Sequence, residues 1–439
     1  PQTAGTVISV AIDYGGTLRP VDSPFIPGVV TGPTLGAQRF AFVSQPDMAS
    51  AWMPINDHPI DAARYRFVVT VPQPYEAVAN GELLETLDHP DGSRTFIYDM
   101  PDQMASYLAT MAVGDYTVIA DQTAEGIPLL HYVYAGSDPA TMTAIFDDTP
   151  LAMDILTGYF GPYPYDSYGH VLVPLTSAAL ETQTLSVMPY RLGEFGDPII
   201  WRLIVHELAH QWFGNYVRLE TWADIWLNEG FATWAEWLAD EARYGPERAI
   251  NNRHRAEGAL SNSRRTTPLA EPRPGEMFSI DSYQKGGWVL HMLRAELGDD
   301  VFFPMLQAYV AAFAEDTVTS AEFFSFIEDF TGQNLDTFEQ QWLYQPGLPR
   351  YTLYWTSEGT TANVRLCSHR DGQRYTFDLP IEFQDGGGSR ELVRLALDGA
   401  QADAAYSLGF IPRDARIDPF EDVLDVIDAR RVNALPTCG

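Results

Sequence analysis

The sequence predicts a multidomain α+β protein in which two β-rich segments flank a mainly helical one. Three observations lead to this fold class. β-Branched runs dominate residues 1–122, apolar residues recur at helical spacing through 123–345, and period-two alternation returns in 346–439. Because 439 residues suit two or three domains, we expect each segment to form a domain.

The amino-terminal segment is predicted to be a β domain. Residues 6–12 and 65–71 are rich in β-branched side chains, and turn sequences such as Asp91-Gly92 separate runs of this kind. Pro1 is not a natural first residue, so we expect that a leader stood upstream of it.

After Pro139, apolar residues recur at helical spacing and no longer in β-branched runs. Amphipathic helices are predicted over residues 144–160, 198–213, 222–244, 282–297, 301–314, 320–330 and 335–343. Tryptophans recur on these helices at positions 201, 212, 226, 234 and 237, and we interpret them as core residues.

The carboxyl-terminal segment is predicted to form a β-sandwich-like domain. It follows a break at 346–349 and contains alternating runs at 351–355, 363–366 and 392–397, with a glycine loop at 386–388. The chain's two cysteines, Cys367 and Cys438, both lie in this segment. They form either a disulfide that holds the tail, which suits an exported protein, or two unpaired thiols.

Charge and hydropathy exclude two classes of partner. The formal net charge is −32, from 59 acidic and 27 basic residues, which argues against binding to nucleic acid or to an anionic membrane surface. No apolar run reaches 18 residues, so the sequence predicts no membrane span.

A metal motif lies in the middle of the helical segment. His206 and His210 are four residues apart, which places them on one face of a helix, and Glu229 follows nineteen residues after His210. Two histidines, one glutamate and an open fourth position describe a catalytic zinc site, with one Zn²⁺ per chain. Glu207 can hold a water beside the metal, and Glu236, seven residues after Glu229, can accept a hydrogen bond from a ligand histidine.

Three further segments accompany this motif. Tyr283 precedes the pair Lys285-Gly286, Glu181 lies in Ala-Ala-Leu-Glu-Thr before the zinc helix, and Gln45-Pro46-Asp47 lies in the first segment. With His206, His210 and Glu229, they give a chain that resembles the M1 family, the aminopeptidase N-like gluzincin metallopeptidases. The resemblance implies a thermolysin-like catalytic domain at 123–345. Family amino-terminal domains are longer, so it also implies that the 1–122 domain is either incomplete at its start or trimmed in this branch.

The resemblance also assigns roles to individual residues. Glu207 corresponds to the general base and Tyr283 to the oxyanion-stabilising tyrosine. Glu181 corresponds to the glutamate that binds the free amino group of the substrate, and Gln45 and Asp47 match a stretch that reaches into the cleft, with Asp47 replacing a glutamate.

The expected function is therefore zinc-dependent removal of the first residue from peptides with a free amino terminus. Ala178, Leu180 and Thr182 depart from the family's Gly-x-Met-Glu-Asn, so an endopeptidase or another small-substrate hydrolase is an alternative. A metal-stabilised binding protein without catalysis is a third. We expect a monomer, exported or at the cell surface if the cysteines are bridged and cytoplasmic otherwise.

Overall fold

The computed structural model describes residues 7–17, 29–34, 37–176, 178–263, 267–369 and 374–438. The strands within these ranges are β1 Val29–Thr34, β2 Ala37–Phe42, β3 Ala62–Pro72, β4 Glu76–Ala79, β5 Glu82–Asp88, β6 Ser93–Ala105, β7 Met111–Gly114, β8 Tyr116–Gln122, β9 Pro128–Tyr134, β10 Tyr168–Val173, β11 Ser186–Pro189, β12 Arg218–Leu219, β13 Thr317–Val318, β14 Arg350–Glu358, β15 Thr361–Ser368, β16 Tyr375–Gln384, β17 Arg390–Gly399, β18 Gln401–Ser407, β19 Asp414–Ile417 and β20 Val426–Arg431.

The α-helices are α1 Pro139–Phe146, α2 Thr149–Phe160, α3 Asp197–Ala209, α4 Trp226–Tyr244, α5 Pro246–Asn262, α6 Gly286–Leu297, α7 Asp299–Ala312, α8 Ser320–Thr331 and α9 Asp336–Glu339. Sheets at both ends of the chain and helices between them confirm the predicted α+β class. No helix in the described ranges combines the length and the apolar character that a membrane crossing requires.

The chain divides into two compact units. The first unit contains the described residues of Pro1–Asp147 and Tyr165–Ile200, and the second contains those of Asp148–Pro164 and Trp201–Gly439. The three-domain division at 122 and 345 stays a prediction.

The first unit is built mainly from three sheets, with strand orders β1-β2-β7-β4, β3-β6-β5 and β8-β9-β10-β11. Strand β3 contains the predicted run 65–71, and the neighbouring strand β6 contributes Phe96 and Tyr98 to the buried core. The other predicted strand is wrong where the structure describes it. Residues 7–12 form no strand and Val7 is 93% exposed, while Thr6 lies outside the described residues. A β-branched run becomes a strand only where a neighbour accepts its backbone hydrogen bonds.

The predicted helix at 144–160 is two helices, α1 and α2. Pro150 lies in the first turn of α2, where its missing N–H costs no hydrogen bond. A proline at this position begins a helix more readily than it continues one, so the chain breaks at Asp147 and Asp148.

Helix α5 was not predicted. Its inward-facing residues are mostly small or polar, namely Ala249, Asn252, Arg253, Ala256 and Leu260. Hydrophobic periodicity is the main sequence signal for a helix, and a helix that buries such residues gives little of it.

The second unit has the ligand-bearing helices at its core. Helix α4 packs against α5 and α6, and Trp212, Trp226 and Trp234 are at most 1% exposed. Trp201 and Trp237 are also buried, at 3% and 5% exposed, which confirms the interpretation of all five tryptophans as core residues.

The carboxyl-terminal strands form two sheets, with orders β18-β15-β14-β20 and β17-β16-β19. Trp355 of β14 and Phe383 of β16 meet with ring centroids 5.5 Å apart, so side chains from the two sheets interdigitate as in a β-sandwich. The structure contains the Cys367–Cys438 disulfide, with Cα atoms 5.4 Å apart, and it attaches the tail to β15.

Candidate metal centre and active site

Helix α3 carries the first two candidate ligands. His206 lies in its last turn, and His210 follows directly after it with its N–H still bonded to the His206 carbonyl at 3.3 Å. The two imidazole rings are therefore on one face, with centroids 4.8 Å apart.

Glu229 supplies the third ligand from the first turn of α4. Its side chain is 4% exposed, and its Oε2 lies 3.3 Å from His206 Nε2 and 3.5 Å from His210 Nε2. The first turn of a helix favours a carboxylate because the helix dipole is positive there. The same turn thus places and stabilises the ligand charge.

These distances fit a tetrahedral zinc ion. Ligand atoms ~2.0–2.2 Å from zinc in tetrahedral positions lie ~3.3–3.6 Å from one another. The distances from Glu229 to the two histidines, 3.3 and 3.5 Å, fall in that interval. Two imidazole nitrogens and one carboxylate oxygen are also the donor set that catalytic zinc takes.

The remaining ring nitrogens have their own partners. His206 Nδ1 lies 2.8 Å from Glu236 Oε1, and His210 Nδ1 lies 3.1 Å from the Phe213 carbonyl oxygen. Both partners accept a hydrogen bond, so each histidine carries its proton on Nδ1 and directs the Nε2 lone pair toward the metal position. Glu236 thus makes the contact that its spacing from Glu229 predicts.

The electrostatics of the site favour a cation. Burial lowers the pKa of His206, but Glu229, Glu236 and Glu207 outweigh burial and raise it well above its ordinary value. Burial raises the pKa of Glu229, and the hydrogen bonds and charges of His206 and His210 outweigh this and lower it to about 2. Glu229 is therefore ionised at any pH near neutrality, and the site is negative enough to attract a divalent ion.

Glu207 lies between the two histidines on α3 and is 4% exposed. Its carboxylate is close enough to His206 to contribute to the raised pKa of that residue. A buried carboxylate beside the metal position suits proton transfer to and from a reacting water.

Tyr283 lies in a π-helical turn, Asp281–Lys285, that leads directly into α6. Its ring stacks near His206 with centroids 6.0 Å apart. Single π-turns are uncommon and occur often at functional sites. The structure thus brings Tyr283 to the ligand histidines, although more than fifty residues separate them in sequence.

Two glycines allow this approach. A Cβ on Gly230 would meet Gly286 Cα at 2.8 Å, and a Cβ on Gly286 would meet Gly230 Cα at the same distance. The backbones of α4 and α6 therefore touch directly, one residue after Glu229 and three after Tyr283. Both glycines lie in the motif segments, but residue spacing alone does not predict that they touch.

A third glycine shapes the turn after His210. Gly214 has φ +119°, and a Cβ there would meet Asn228 Nδ2 at 2.9 Å. The turn holds the Phe213 carbonyl against His210 Nδ1 at 3.1 Å. The role of this carbonyl was not predicted either, because every residue has a backbone carbonyl and the residue type gives no indication of its role.

Lys285, the only lysine of the chain, is 2% exposed. Its Nζ donates to the Gln345 carbonyl oxygen at 3.2 Å. Burial lowers the pKa of Lys285 to about 8, and the charge of Asp281 opposes that effect. Lys285 therefore anchors the π-helical turn that carries Tyr283.

The first unit contains the other predicted residues. Gln45 Nε2 donates to Glu181 Oε1 at 2.6 Å, and the two side chains are only 5% and 4% exposed. Thr184 accepts from the Gly81 N–H at 3.0 Å, which fixes the loop after Glu181. Asp47 is exposed and does not join the Gln45–Glu181 pair.

Comparison with known proteins agrees with this geometry. Residues 146–342 match the family model described as "Peptidase family M1 domain". The chain is 30% identical to Aminopeptidase M1-B of Oryza sativa subsp. japonica and 28% identical to Aminopeptidase M1 of Arabidopsis thaliana, over 72% and 70% of its own length. These matches span 38% and 36% of the two plant proteins, well under two thirds of their length.

Solved structures match over a larger share. A two-domain M1 zinc metallopeptidase bound to L-tryptophan has a TM-score of 0.65 and 30% identity, covering 72% of this chain and 71% of that one. An M1 zinc metallopeptidase of Deinococcus radiodurans bound to a Tyr-Ser-Ala substrate has a TM-score of 0.67 and 28% identity, covering 76% and 75%. The chain belongs to peptidase family M1, the zinc metallopeptidases.

Proposed function

We propose that this protein is a zinc-dependent aminopeptidase that removes the first residue from peptides with a free amino terminus. The observation that supports this proposal most directly is the donor set of His206, His210 and Glu229 at tetrahedral spacing, with Glu207 buried beside it. A metal-stabilised binding protein needs no such carboxylate.

The second unit supplies the proposed chemistry. A zinc ion held by these ligands supplies Lewis acidity, which polarises the scissile carbonyl and makes water a stronger acid. The Glu207 carboxylate accepts the proton of the attacking water and passes it to the leaving amine. The Tyr283 hydroxyl donates a hydrogen bond to the oxyanion, which exists only near the transition state.

The first unit supplies the proposed recognition. Glu181 is a buried carboxylate, and Gln45 holds one of its oxygens at 2.6 Å. An ordered carboxylate of this kind suits a substrate ammonium group, because the pair forms a charge-assisted hydrogen bond. We propose that Glu181 restricts the enzyme to substrates whose first amine is free, and that Asp47 adds a second negative charge.

The solved relatives support this assignment. They bind L-tryptophan, L-arginine and a Tyr-Ser-Ala substrate, all with a free amino group. We propose that apolar and aromatic first residues are preferred over acidic ones, since two carboxylates and the net charge of −32 repel acidic peptides. In a panel of aminoacyl-coumarins, faster hydrolysis of the Asp or Glu substrates than of the apolar ones would contradict this preference.

The test compares an aminoacyl-coumarin with its N-acetylated form. An aminopeptidase cleaves the free amine far faster, whereas equal cleavage of both would establish an endopeptidase or another hydrolase. In parallel, Glu207→Gln should keep its zinc and lose kcat by roughly 10²–10⁴-fold or more, since it removes the proton acceptor. Full turnover in a zinc-loaded Glu207→Gln protein would refute the mechanism.

We propose further that the protein acts as a monomer in an oxidising compartment outside the cytoplasm. All the groups that the mechanism uses belong to one chain, and the Cys367–Cys438 disulfide suits such a compartment. Light scattering that gave a dimer mass would contradict the monomer. Two free thiols per chain in denatured, unreduced protein would remove the argument for export.

A further inference from the structure

Residues 181–185 form a tightly folded loop, the Glu181 loop, in which every residue is buried. Leu180 and Val187 close it with two backbone hydrogen bonds of 3.0 and 2.8 Å. Within it, Thr184 has φ +63°, a left-handed conformation that a β-branched residue rarely adopts. Backbone strain of this kind persists only where the surrounding contacts hold it, and it occurs often at functional sites.

Asn80, in the turn between β4 and β5, contacts this loop directly. Its side chain is fully buried, and its Nδ2 donates to the Gln183 carbonyl oxygen at 2.7 Å. The next residue, Gly81, donates its N–H to Thr184 Oγ1 at 3.0 Å. One turn thus holds two consecutive residues of the Glu181 loop, the first through a side chain and the second through the backbone.

The same asparagine side chain also binds a segment that is attached beside Gln45. Its Nδ2 donates a second hydrogen bond to the Leu108 carbonyl oxygen at 3.0 Å, and its Oδ1 accepts the Thr110 N–H at 2.7 Å. Ser44, next to Gln45, donates through its Oγ to the carbonyl oxygen of the residue between these two at 3.1 Å. One buried side chain therefore links the segment of Gln45 to the Glu181 loop.

The chemistry of these partners requires an asparagine. Two carbonyl oxygens need donors and one N–H needs an acceptor, and a carboxamide offers both on a short side chain. An aspartate of the same shape would place a negative charge against two carbonyl oxygens, and an alanine would remove all three hydrogen bonds. A Cβ on Gly81 would clash with the Asp99 carbonyl oxygen, so the turn lies directly against β6. The Glu181 loop is therefore attached to a turn that packs closely on a strand.

We propose that Asn80 is a positioning residue for substrate recognition, which places the Glu181 carboxylate where it binds the free amino group. This role rests on the aminopeptidase function proposed above. Gln45 reaches one oxygen of Glu181 at 2.6 Å, and a hydrogen bond from a substrate ammonium to this carboxylate depends on its distance and direction. Because Asn80 is attached to the segments of both residues, it maintains the position of one relative to the other.

The experiment measures kcat and KM for an aminoacyl-coumarin and for its N-acetylated form, with zinc content and Tm recorded for each protein. In Asn80→Ala, KM for the free amine should rise about tenfold or more, because the charge-assisted hydrogen bond to the ammonium group is weakened. The value of kcat should change little, since a binding contact and not the proton transfer is displaced. The preference for the free over the acetylated substrate should fall by about the same factor, because the acetylated form has no ammonium group.

Thr184→Val tests the second contact with a smaller change and decides the question should Asn80→Ala fold poorly. Valine has the same shape and is also β-branched, but it has no oxygen to accept the Gly81 N–H. We expect KM for the free amine to rise again, and Thr184→Ser, which keeps the hydroxyl group, should restore the wild-type KM. A wild-type KM in Thr184→Val, or in a folded Asn80→Ala, would overturn the proposal.

Tyr98→Phe is the matched control, because it removes a buried hydrogen bond of the first unit without touching the Glu181 loop. The Tyr98 hydroxyl group donates to the Ala77 carbonyl oxygen at 3.2 Å within the core. Its loss should lower Tm and leave KM at the wild-type value. An equal rise in KM in Tyr98→Phe and Asn80→Ala would mean a general loosening of the unit and would overturn the proposal. Equal cleavage of both substrates by the wild type would instead refute the aminopeptidase function, and the role of Asn80 with it.

Discussion

Replacing Gly230 by alanine tests how closely α4 and α6 must approach. A new Cβ would meet the Gly286 Cα and carbonyl carbon, both at 2.8 Å, and backbone atoms cannot rotate away. Carbon atoms pack at ~3.5–4.0 Å, so the helices must separate by about 0.7–1.2 Å. Tyr283 precedes Gly286 by three residues, and a displacement of ~1 Å can reduce a rate by roughly 10²-fold.

The expected stability change is a balance of two effects. Alanine is favoured over glycine in a helix by ~1 kcal/mol, whereas overpacking costs ~1–3 kcal/mol, so Gly230→Ala should destabilise by about 1 kcal/mol. Gly258 of α5 is the matched control, because its Cβ would meet nothing within 4 Å. Gly258→Ala should stabilise by ~0.5–1 kcal/mol and leave kcat unchanged.

The assays are urea unfolding and hydrolysis of an aminoacyl-coumarin, with zinc content measured in each variant. Gly230→Ala should keep its zinc, because the three ligand side chains are still present. It should lose kcat, because the separation of the helices displaces Tyr283. The reasoning is refuted if Gly230→Ala is as stable and as active as Gly258→Ala.

Tyr283→Phe should lower kcat by about 10²–10³-fold with little change in KM, because the lost hydrogen bond acts on the oxyanion alone; an equal rise in KM would instead indicate a role in binding. Glu236→Gln should weaken zinc binding by about 10–100-fold in a chelator competition, since His206 Nδ1 loses a charged partner at 2.8 Å. An unchanged zinc affinity would show that Glu236 does not contribute to zinc binding. Reducing the disulfide of Cys367 and Cys438, which are 71 residues apart, should lower the free energy of unfolding by ~2–4 kcal/mol. Equal denaturant midpoints with and without reductant would contradict that value.

The fold was predictable where the hydrophobic periodicity of a segment is clear. Strand β3, helix α8 and strands β14, β15 and β17 alternate or repeat clearly, and each lies close to its predicted position. Helix α5 buries small and polar residues instead, and residues 7–12 have β-branched side chains but no partner strand in the described chain. In both cases the neighbours, and not the local pattern, decide the structure.

The candidate site likewise contains residues that the sequence predicts and contacts that it does not. His206, His210 and Glu229 were predictable because helical spacing alone places the first two on one face and the motif supplies the third. The Gln45–Glu181 pair joins residues 136 positions apart, and its 2.6 Å hydrogen bond depends on how the sheets of the first unit are folded.

Sequence by itself therefore determined the α+β class and the zinc donor set, because these depend on residue type and motif spacing, whereas the resemblance to family M1 indicated Tyr283, Glu181 and Gln45. Tertiary structure alone decided the contact between Gly230 and Gly286 and the position of the Phe213 carbonyl behind His210. Each of these depends on backbone approach or on burial. Both quantities are set by segments far apart in the chain, so neither can be predicted from the spacing of residues.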